Sequence, residues 1–171
     1  DGAGRSRRAP RQCPRRRTAE HKPAAPAAVR CFVLTVSDTR TEATDASGRA
    51  IADLLAAAGH LVAGRSIVKD EPDLVRAALE RQLANTEVQA IITTGGTGIT
   101  SRDSTYEVVT ALLQKRLDGF GELFRMLIYQ QIGPAAMKRR ASAGNSSVPS
   151  VVSPPGAEAA VRPAHDQVPI P

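Results

Sequence analysis

A glycine-rich turn in the middle of the chain could bind a phosphate group. The turn is Gly95-Gly96-Thr97-Gly98, and a short apolar run over residues 88–93 precedes it. A turn from a buried strand into a helix exposes backbone N–H groups with the positive end of the helix dipole behind them, which suits a phosphate. A tight turn that needs positive φ angles would explain the glycines equally well. The spacing matches neither the GxGxxG dinucleotide motif nor the GxxxxGK[ST] P-loop, so the sequence supports neither site.

Four aspartates follow predicted strands or precede predicted helices, and they could hold Mg²⁺ near this turn. They are Asp38, Asp45, Asp70 and Asp103. Each could instead cap an adjacent helix, because Asp is a preferred N-cap residue. Four carboxylates at one sheet edge exceed what capping requires, which favours Mg²⁺ bridging phosphate oxygens. The chemistry indicated is Mg²⁺-assisted transfer of a phosphate-bearing group, which depends on positioning and charge neutralisation.

Covalent catalysis and a zinc site are not indicated. Ser37 and Thr97 have no nearby base, and none of the three histidines stands at the predicted sheet edge, which argues against a Ser-His mechanism. Cys13 and Cys31 lack CxxC spacing, so they form neither a zinc site nor a disulfide framework. We therefore expect Cys31 to be a buried structural thiol.

Strand and helix patterns alternate three times along the chain. Strands are predicted over residues 29–36, 60–68 and 88–93, and helices are predicted from Asp45 to Gly59, from Pro72 through Leu83, after Asp103 or Ser104, and over residues 119–129. The alternation predicts an α/β fold with a mostly parallel open sheet and helices on both faces. Ligands bind beyond the carboxyl ends of the strands in such a sheet. The segments that begin at Ser37, Asp70 and Gly95 would all meet at that edge.

The composition is that of a single globular domain with charged and proline-rich ends. The chain has 171 residues, of which 42% are hydrophobic and 23% charged. No apolar stretch is long enough to span a membrane, and no secretory signal follows the basic N-terminus. We therefore expect a soluble cytoplasmic protein. The predicted organisation is a disordered basic and proline-rich arm over residues 1–28, an α/β domain over residues 29–162, and an irregular proline-rich tail over residues 163–171.

The net charge of +6 arises entirely in the first 22 residues, which carry eight basic and two acidic side chains. Such an arm could contact RNA without specificity. Aromatic residues make up only 3% of the chain and Trp is absent, so platforms for base stacking are missing. Nucleic acid is therefore not an expected partner. Near the other end, Val148 and Val151-Val152 predict a last strand that Pro149 interrupts, and a short helix could begin at Ala157.

Several ordered segments resemble the signatures of the molybdenum cofactor biosynthesis protein B family, a branch of the molybdopterin-binding adenylyltransferases. The resemblance covers about residues 20–144. It is carried by residues 33–38 (VLTVSD), 45–48 (DASG), 70–72 (DEP) and 93–105 (TTGGTGITSRDST), and residues 20–22 (EHK), 119–125 (GFGELFR) and 131–137 (QIGPAAM) favour this branch.

The resemblance implies a three-layer α/β/α domain that assembles into homotrimers or homohexamers. It also implies adenylyl transfer, in which the terminal phosphate of molybdopterin attacks the α-phosphate of Mg-ATP and pyrophosphate leaves. Asp70 and Asp103 would be the catalytic and Mg²⁺-binding residues. Gly95, Gly96, Thr97 and Gly98 would cradle phosphate, and Ser37, Asp38, Asp45 and Ser47 would line the pocket. The alternative is a molybdopterin-binding homologue without catalysis.

Two departures from the family pattern concern the C-terminal part of the chain. Lys138-Arg139-Arg140 stands where the family usually has Ser-Arg, and Pro155-Gly156-Ala157 has Ala in place of a Ser. Loss of that hydroxyl would remove one hydrogen bond, worth about 0.5–1.5 kcal/mol. Loss of the last strand would uncover part of the core.

Overall fold

A computed structural model describes residues 28–96, 105–145 and 150–154. Within these ranges strands and helices alternate as the sequence predicts, and two further short strands follow α3. The strands are β1 (Arg30–Val36), β2 (Leu61–Val68), β3 (Ala90–Thr94), β4 (Lys115–Arg116), β5 (Ser142–Asn145) and β6 (Ser150–Ser153). The helices are α1 (Ala46–Ala57), α2 (Pro72–Leu83), α3 (Thr105–Leu112), α4 (Asp118–Ile132) and a 3₁₀ helix (Gly133–Lys138).

The six strands form one sheet in the order β2-β1-β3-β6-β5-β4. The first four strands in this order run parallel, and β5 and β4 continue the sheet in antiparallel pairing. The predicted α/β class with a mostly parallel sheet is therefore confirmed. The predicted last strand also forms, and it begins one position after Pro149 in the sequence. A proline before the first strand residue costs no ladder hydrogen bond, so β6 pairs with β3 near the middle of the sheet.

Helices pack against both faces of the parallel strands through apolar side chains, so the fold has three layers. Leu34 in β1 packs with Val75 of α2 and Val109 of α3 on one face. Its neighbour Val33 packs with Ile51 and Leu55 of α1 on the other face. Alternate side chains of a strand point to opposite faces, and a strand buried on both faces is apolar throughout. The continuous apolar run in β1 therefore agrees with its place inside the sheet, between β2 and β3.

The helix ends agree with the local sequence signals. Asp45 caps α1, Pro72 is the first residue of α2, and Gly59 follows α1 with a φ of +85°. Ala58 forms the C-cap of α1 and is exposed. At the other end of the sheet, α4 packs Phe124 and Ile128 against the 3₁₀ helix and the approach to β5. None of the helices that the structure describes is long and apolar enough to cross a membrane.

The buried thiol of Cys31 is a structural group. Cys31 is free and fully buried in the core beneath α1. Burial disfavours the thiolate and raises the pKa of Cys31 to about 11. The thiol is therefore protonated at neutral pH and unsuited to act as a nucleophile. This confirms the expectation for Cys31, and Cys13 lies outside the described residues.

Candidate functional site

The glycine turn after β3 brings the two ends of a loop together. Gly95 and Gly96 have φ values of +95° and +58°, which glycine adopts without strain. The backbone N–H of Thr105 donates to the carbonyl oxygen of Gly96 at 3.2 Å, so α3 begins beside the turn. The need for positive φ angles is thus confirmed at these two glycines. Thr97, Gly98 and Asp103, which were expected to bind phosphate or Mg²⁺, lie outside the described residues, and phosphate binding stays a prediction.

The turn is packed too closely for a side chain at either glycine. A Cβ atom at Gly95 would overlap the carbonyl oxygen of Val36, the last residue of β1. A Cβ at Gly96 would overlap the hydroxyl of Thr105 and lie 3.0 Å from both carboxylate oxygens of Asp70. The turn therefore sits between the carboxyl end of β1, the first residue of α3 and the Asp70 side chain. This is the juxtaposition of glycines and a carboxylate that the sequence predicts for this edge.

Asp70 and Asp38 meet at the start of α2. The carboxylate of Asp38 accepts a hydrogen bond from the backbone N–H of Asp70 at 3.1 Å, which ties the loop after β1 to the loop after β2. The N-cap of α2 is Glu71, and its extended backbone carries no side-chain cap. Asp70 is therefore not the cap of α2. Its carboxylate lies against the glycine turn instead, which favours the ligand interpretation over the capping interpretation for this aspartate.

Asp45 has a different environment, because its carboxylate holds three elements together. Its side chain is only 3% exposed and caps α1 by accepting the N–H of Gly48 at 2.9 Å. The hydroxyl of Thr35 in β1 donates to the same carboxylate at 2.9 Å. The guanidinium groups of Arg40 and Arg65 lie 3.5 and 4.0 Å away. The capping interpretation is therefore confirmed for Asp45, and its proposed contact with a ligand stays a prediction.

The loop after β1 is held by Ser37, Ser47 and Arg40. The hydroxyl of Ser37 accepts the backbone N–H of Arg40 at 3.2 Å and that of Thr39 at 3.3 Å. The guanidinium of Arg40 donates to the buried hydroxyl of Ser47. The sequence analysis did not select Arg40. A basic residue two positions after the Ser37-Asp38 pair, at the predicted ligand edge, is the signal that could have identified it.

Two threonine hydroxyls beside the glycine turn have no hydrogen-bond partner among the described residues. Thr94 ends β3 and Thr105 begins α3, and both residues are at most 1% exposed. Burying a hydroxyl without a partner costs about 1–3 kcal/mol, so such groups in a folded protein require an explanation. The two threonines stand on either side of the turn, so their hydroxyls could form hydrogen bonds with a polar ligand bound there. The sequence analysis missed both threonines because Thr is common in strands and at helix starts.

The described residues suit a phosphate-bound Mg²⁺ better than a metal site built from protein alone. No group of three or more His, Cys, Asp or Glu side chains that could hold a metal occurs in residues 28–96, 105–145 and 150–154. The Asp70 carboxylate lies beside the glycine turn, and the Asp38 carboxylate is bonded to the backbone N–H of Asp70. Mg²⁺ usually keeps several waters and takes one or two carboxylates together with substrate phosphates. The donor set therefore fits the ion when a phosphate-bearing ligand is present.

Replacing Asp45 with alanine should destabilise the protein by about 2–4 kcal/mol, because it removes an N-cap and leaves the buried hydroxyl of Thr35 unpaired. Asparagine keeps one side-chain oxygen that can accept the cap hydrogen bond, and its amide N–H can donate to the hydroxyl of Thr35. It loses the charge interactions with the partly exposed Arg40 and Arg65. We expect Asp45→Asn to cost no more than about 1 kcal/mol. Urea unfolding of both variants measures the difference. Equal losses for alanine and asparagine would show that the negative charge, rather than the cap, provides the stability.

Comparison with known proteins identifies the family of this chain. The family described as "Probable molybdopterin binding domain" matches residues 32–171. Over 153 residues the chain is 47% identical to molybdenum cofactor biosynthesis protein B of Bacillus anthracis, and the match covers 89% of this chain and 90% of the relative. The chain belongs to the molybdenum cofactor biosynthesis protein B family.

Solved structures place the fold in the same family. A crystal structure of a molybdenum cofactor biosynthesis protein B has a TM-score of 0.80 and 47% identity, covering 84% of this chain and 90% of that one. The tungsten cofactor synthesizing protein MoaB from Pyrococcus furiosus has a TM-score of 0.72 and 36% identity, covering 83% and 91%. Membership of the protein B family gives this chain a role in molybdenum cofactor biosynthesis.

Proposed function

We propose that the chain binds molybdopterin and transfers an adenylyl group to it from Mg-ATP. Membership of the molybdopterin-binding family supports the pterin ligand. The contact of the Asp70 carboxylate with the glycine turn supports phosphate chemistry, and it is the observation on which the proposal mainly depends. A turn of exposed N–H groups and an adjacent carboxylate are the groups that phosphoryl or nucleotidyl transfer requires from a protein.

The reaction needs no protein nucleophile. An oxygen of the terminal phosphate of molybdopterin forms a bond to the α-phosphorus of ATP, and the bond from that phosphorus to the bridging oxygen of the β-phosphate breaks. The products are adenylylated molybdopterin and pyrophosphate. The glycine turn would bind and orient phosphate oxygens through its backbone N–H groups. Asp70, with Asp103, would hold Mg²⁺, which when bound neutralises charge on the phosphate oxygens.

The neighbouring residues would position this machinery. Asp38 fixes the backbone N–H of Asp70, so it would keep that carboxylate at the turn. Ser37 and Ser47 hold Arg40, whose side chain is 35% exposed and could meet an anionic ligand. Asp45 would act through Arg40 as a positioning residue, since its own side chain is almost completely buried. Asp38, Asp45, Ser37 and Ser47 would thus shape the pocket mainly by holding its loops.

A homo-oligomer is part of the same proposal. Large apolar side chains are exposed along α4 and the 3₁₀ helix: Leu123, Met126 and Tyr129 are 40%, 57% and 55% exposed, and Met137 is 80% exposed. A contiguous exposed apolar patch is typical of a protein–protein interface. A homotrimer or homohexamer that covers this surface is the assembly that the family resemblance implies.

A non-catalytic molybdopterin-binding protein is the second candidate. Ala157 stands where the family usually has a serine hydroxyl, which favours this alternative. The two functions share the same pocket and the same pterin ligand. They differ in whether pyrophosphate is released.

Mixing the protein with molybdopterin, ATP and Mg²⁺ tests the proposal. We expect pyrophosphate release and adenylylated molybdopterin in equal amounts. The matched control uses α,β-methylene-ATP, in which the bond that must break is replaced by a carbon bridge, so no release is expected. Pterin binding without pyrophosphate would favour the non-catalytic alternative, and absence of pterin binding would contradict both functions.

A further inference from the structure

The loop between β1 and α1 carries an exposed turn at its tip. This β1–α1 loop spans residues 37–45, and residues 41–44 within it are all exposed. The turn is closed by its own hydrogen bonds: the backbone N–H of Thr41 donates to the hydroxyl of Thr44 at 2.9 Å, and the backbone N–H of Thr44 donates to the carbonyl oxygen of Thr41 at 3.0 Å. Arg40 directly precedes this turn, so a movement of the turn would move the backbone of Arg40.

The side chain of Arg49 in α1 holds the tip of this turn. One terminal nitrogen of its guanidinium donates to the carbonyl oxygen of Glu42 at 2.8 Å, and the other donates to the carbonyl oxygen of Ala43 at 2.9 Å. A planar guanidinium presents its N–H donors in a fixed geometry, so it can hold two acceptors at once. Arg49 therefore ties the exposed turn to the start of α1.

The place of Arg49 in the sequence of α1 does not benefit the helix itself. Arg49 is the fourth residue of α1, and the first turn of this helix contains no acidic side chain. A positive charge near a helix N-terminus is unfavourable because the helix dipole is positive there. The side chain is also exposed, so it does not contribute to the core. The two contacts with the turn offset this unfavourable position.

Arg40 depends on the β1–α1 loop for its place in the candidate site. Its backbone N–H donates to the hydroxyl of Ser37 at 3.2 Å. Its guanidinium donates to the hydroxyl of Ser47 and lies 3.5 Å from the carboxylate of Asp45. These contacts require the loop to lie against the start of α1, and the clamp formed by Arg49 keeps it there.

We propose that Arg49 is a positioning residue, which clamps the β1–α1 loop against α1 and so holds Arg40 ready for an anionic ligand. This inference rests on the proposed function, because the anionic ligand of Arg40 is molybdopterin there. Arg49 itself would not touch the ligand. Ordering the loop in advance raises affinity, since the apparent dissociation constant is the intrinsic one divided by the fraction of molecules in the binding-competent state.

Substitution of Arg49 with alanine tests the clamp. Alanine is the best helix former and removes a cation from the helix N-terminus, so the melting temperature should change by no more than about 4 °C. Cleavage after Glu42 by glutamyl endopeptidase, followed by fragment mass, measures how often the loop opens. We expect cleavage at least about fivefold faster, because two hydrogen bonds from a charged donor are lost.

The same variant tests the effect on the candidate site. The dissociation constant for molybdopterin, measured by pterin fluorescence, should rise at least about twofold, because fewer molecules hold the ordered loop. In turnover, KM for molybdopterin should rise by the same factor while kcat stays at the wild-type value, since bound ligand restores the loop. A role in stability alone would lower the melting temperature without this separation of KM from kcat.

Two further variants make the result specific. Arg49→Lys keeps the charge but not the fork of donors, so its cleavage rate and affinity should lie between those of wild type and Arg49→Ala. Arg81→Ala removes the same charge from the last turn of α2 and should match the wild type in both measurements.

The outcomes separate the clamp from the proposed function. Unchanged cleavage in Arg49→Ala, or equal acceleration in Arg81→Ala, would overturn the clamp. Faster cleavage with unchanged pterin affinity would overturn the positioning role and leave the proposed function intact. Wild-type protein that binds no pterin would reject the proposed function together with the positioning role.

Discussion

Substitution of Asp70 with asparagine is expected to slow pyrophosphate release by about 100- to 1,000-fold, which is the usual effect of removing one group that stabilises developing charge. Asparagine has nearly the same shape as aspartate but lacks the negative charge that would hold Mg²⁺. The backbone N–H of residue 70 would still donate to Asp38, so the loop should keep its position. We therefore expect the rate to fall with little change in the melting temperature. Steady-state measurement of pyrophosphate with saturating ATP and Mg²⁺ provides the test.

The matched control for this variant is Asp73→Asn. Asp73 lies three positions further on, in the exposed first turn of α2, and its substitution changes the net charge by the same amount. We expect turnover of Asp73→Asn to stay close to that of the wild type. Undiminished turnover in Asp70→Asn would remove Asp70 from the mechanism. An equal loss in both variants would show that general charge near α2, rather than contact with the glycine turn, is responsible.

Replacement of Gly95 with alanine is expected to destabilise the protein by about 3 kcal/mol. A left-handed conformation costs a residue with a Cβ about 1–2 kcal/mol. Overlap in a closely packed region adds about 1–3 kcal/mol, and here the atom in the way is the backbone carbonyl oxygen of Val36. The backbone of β1 cannot move away as a flexible side chain could, because its pairing with β2 holds it in the sheet. Urea unfolding measures the loss, and pyrophosphate release should fall as well because the turn would shift.

Gly59→Ala separates the two causes of this loss. Gly59 has a φ of +85°, similar to Gly95, but a Cβ there would meet no atom within 4 Å. Its substitution should therefore cost only the conformational term of about 1–2 kcal/mol. If both variants lost the same stability, the close approach of the turn to β1 would have no energetic effect.

The order of strands and helices could be predicted from the sequence because the signals are local. The apolar run in β1 indicates that this strand is buried on both faces of the sheet. Pro72 and Gly59 mark helix boundaries, because proline suits the first turn of a helix and glycine readily adopts the positive φ that follows a helix. The short strands β4 and β5 could not be predicted in this way. β4 has two residues and β5 reads Ser-Ala-Gly-Asn, so neither carries the β-branched pattern of a strand. They form because β4 and β5 pair with each other although α4 and the 3₁₀ helix separate them in the sequence, and because β6 pairs with the other edge of β5.

The sequence by itself determined the α/β class, the family and the sheet edge at which the polar residues gather. It could not distinguish the roles of the aspartates at that edge, because the same carboxylate suits a helix cap and a metal ion. Only the tertiary structure assigned Asp45 to the cap of α1, Asp38 to the N–H of Asp70, and Asp70 to the glycine turn. The physical reason is that capping is a contact within a few residues, whereas a binding site requires groups from separate loops to converge. Chain folding alone decides that convergence.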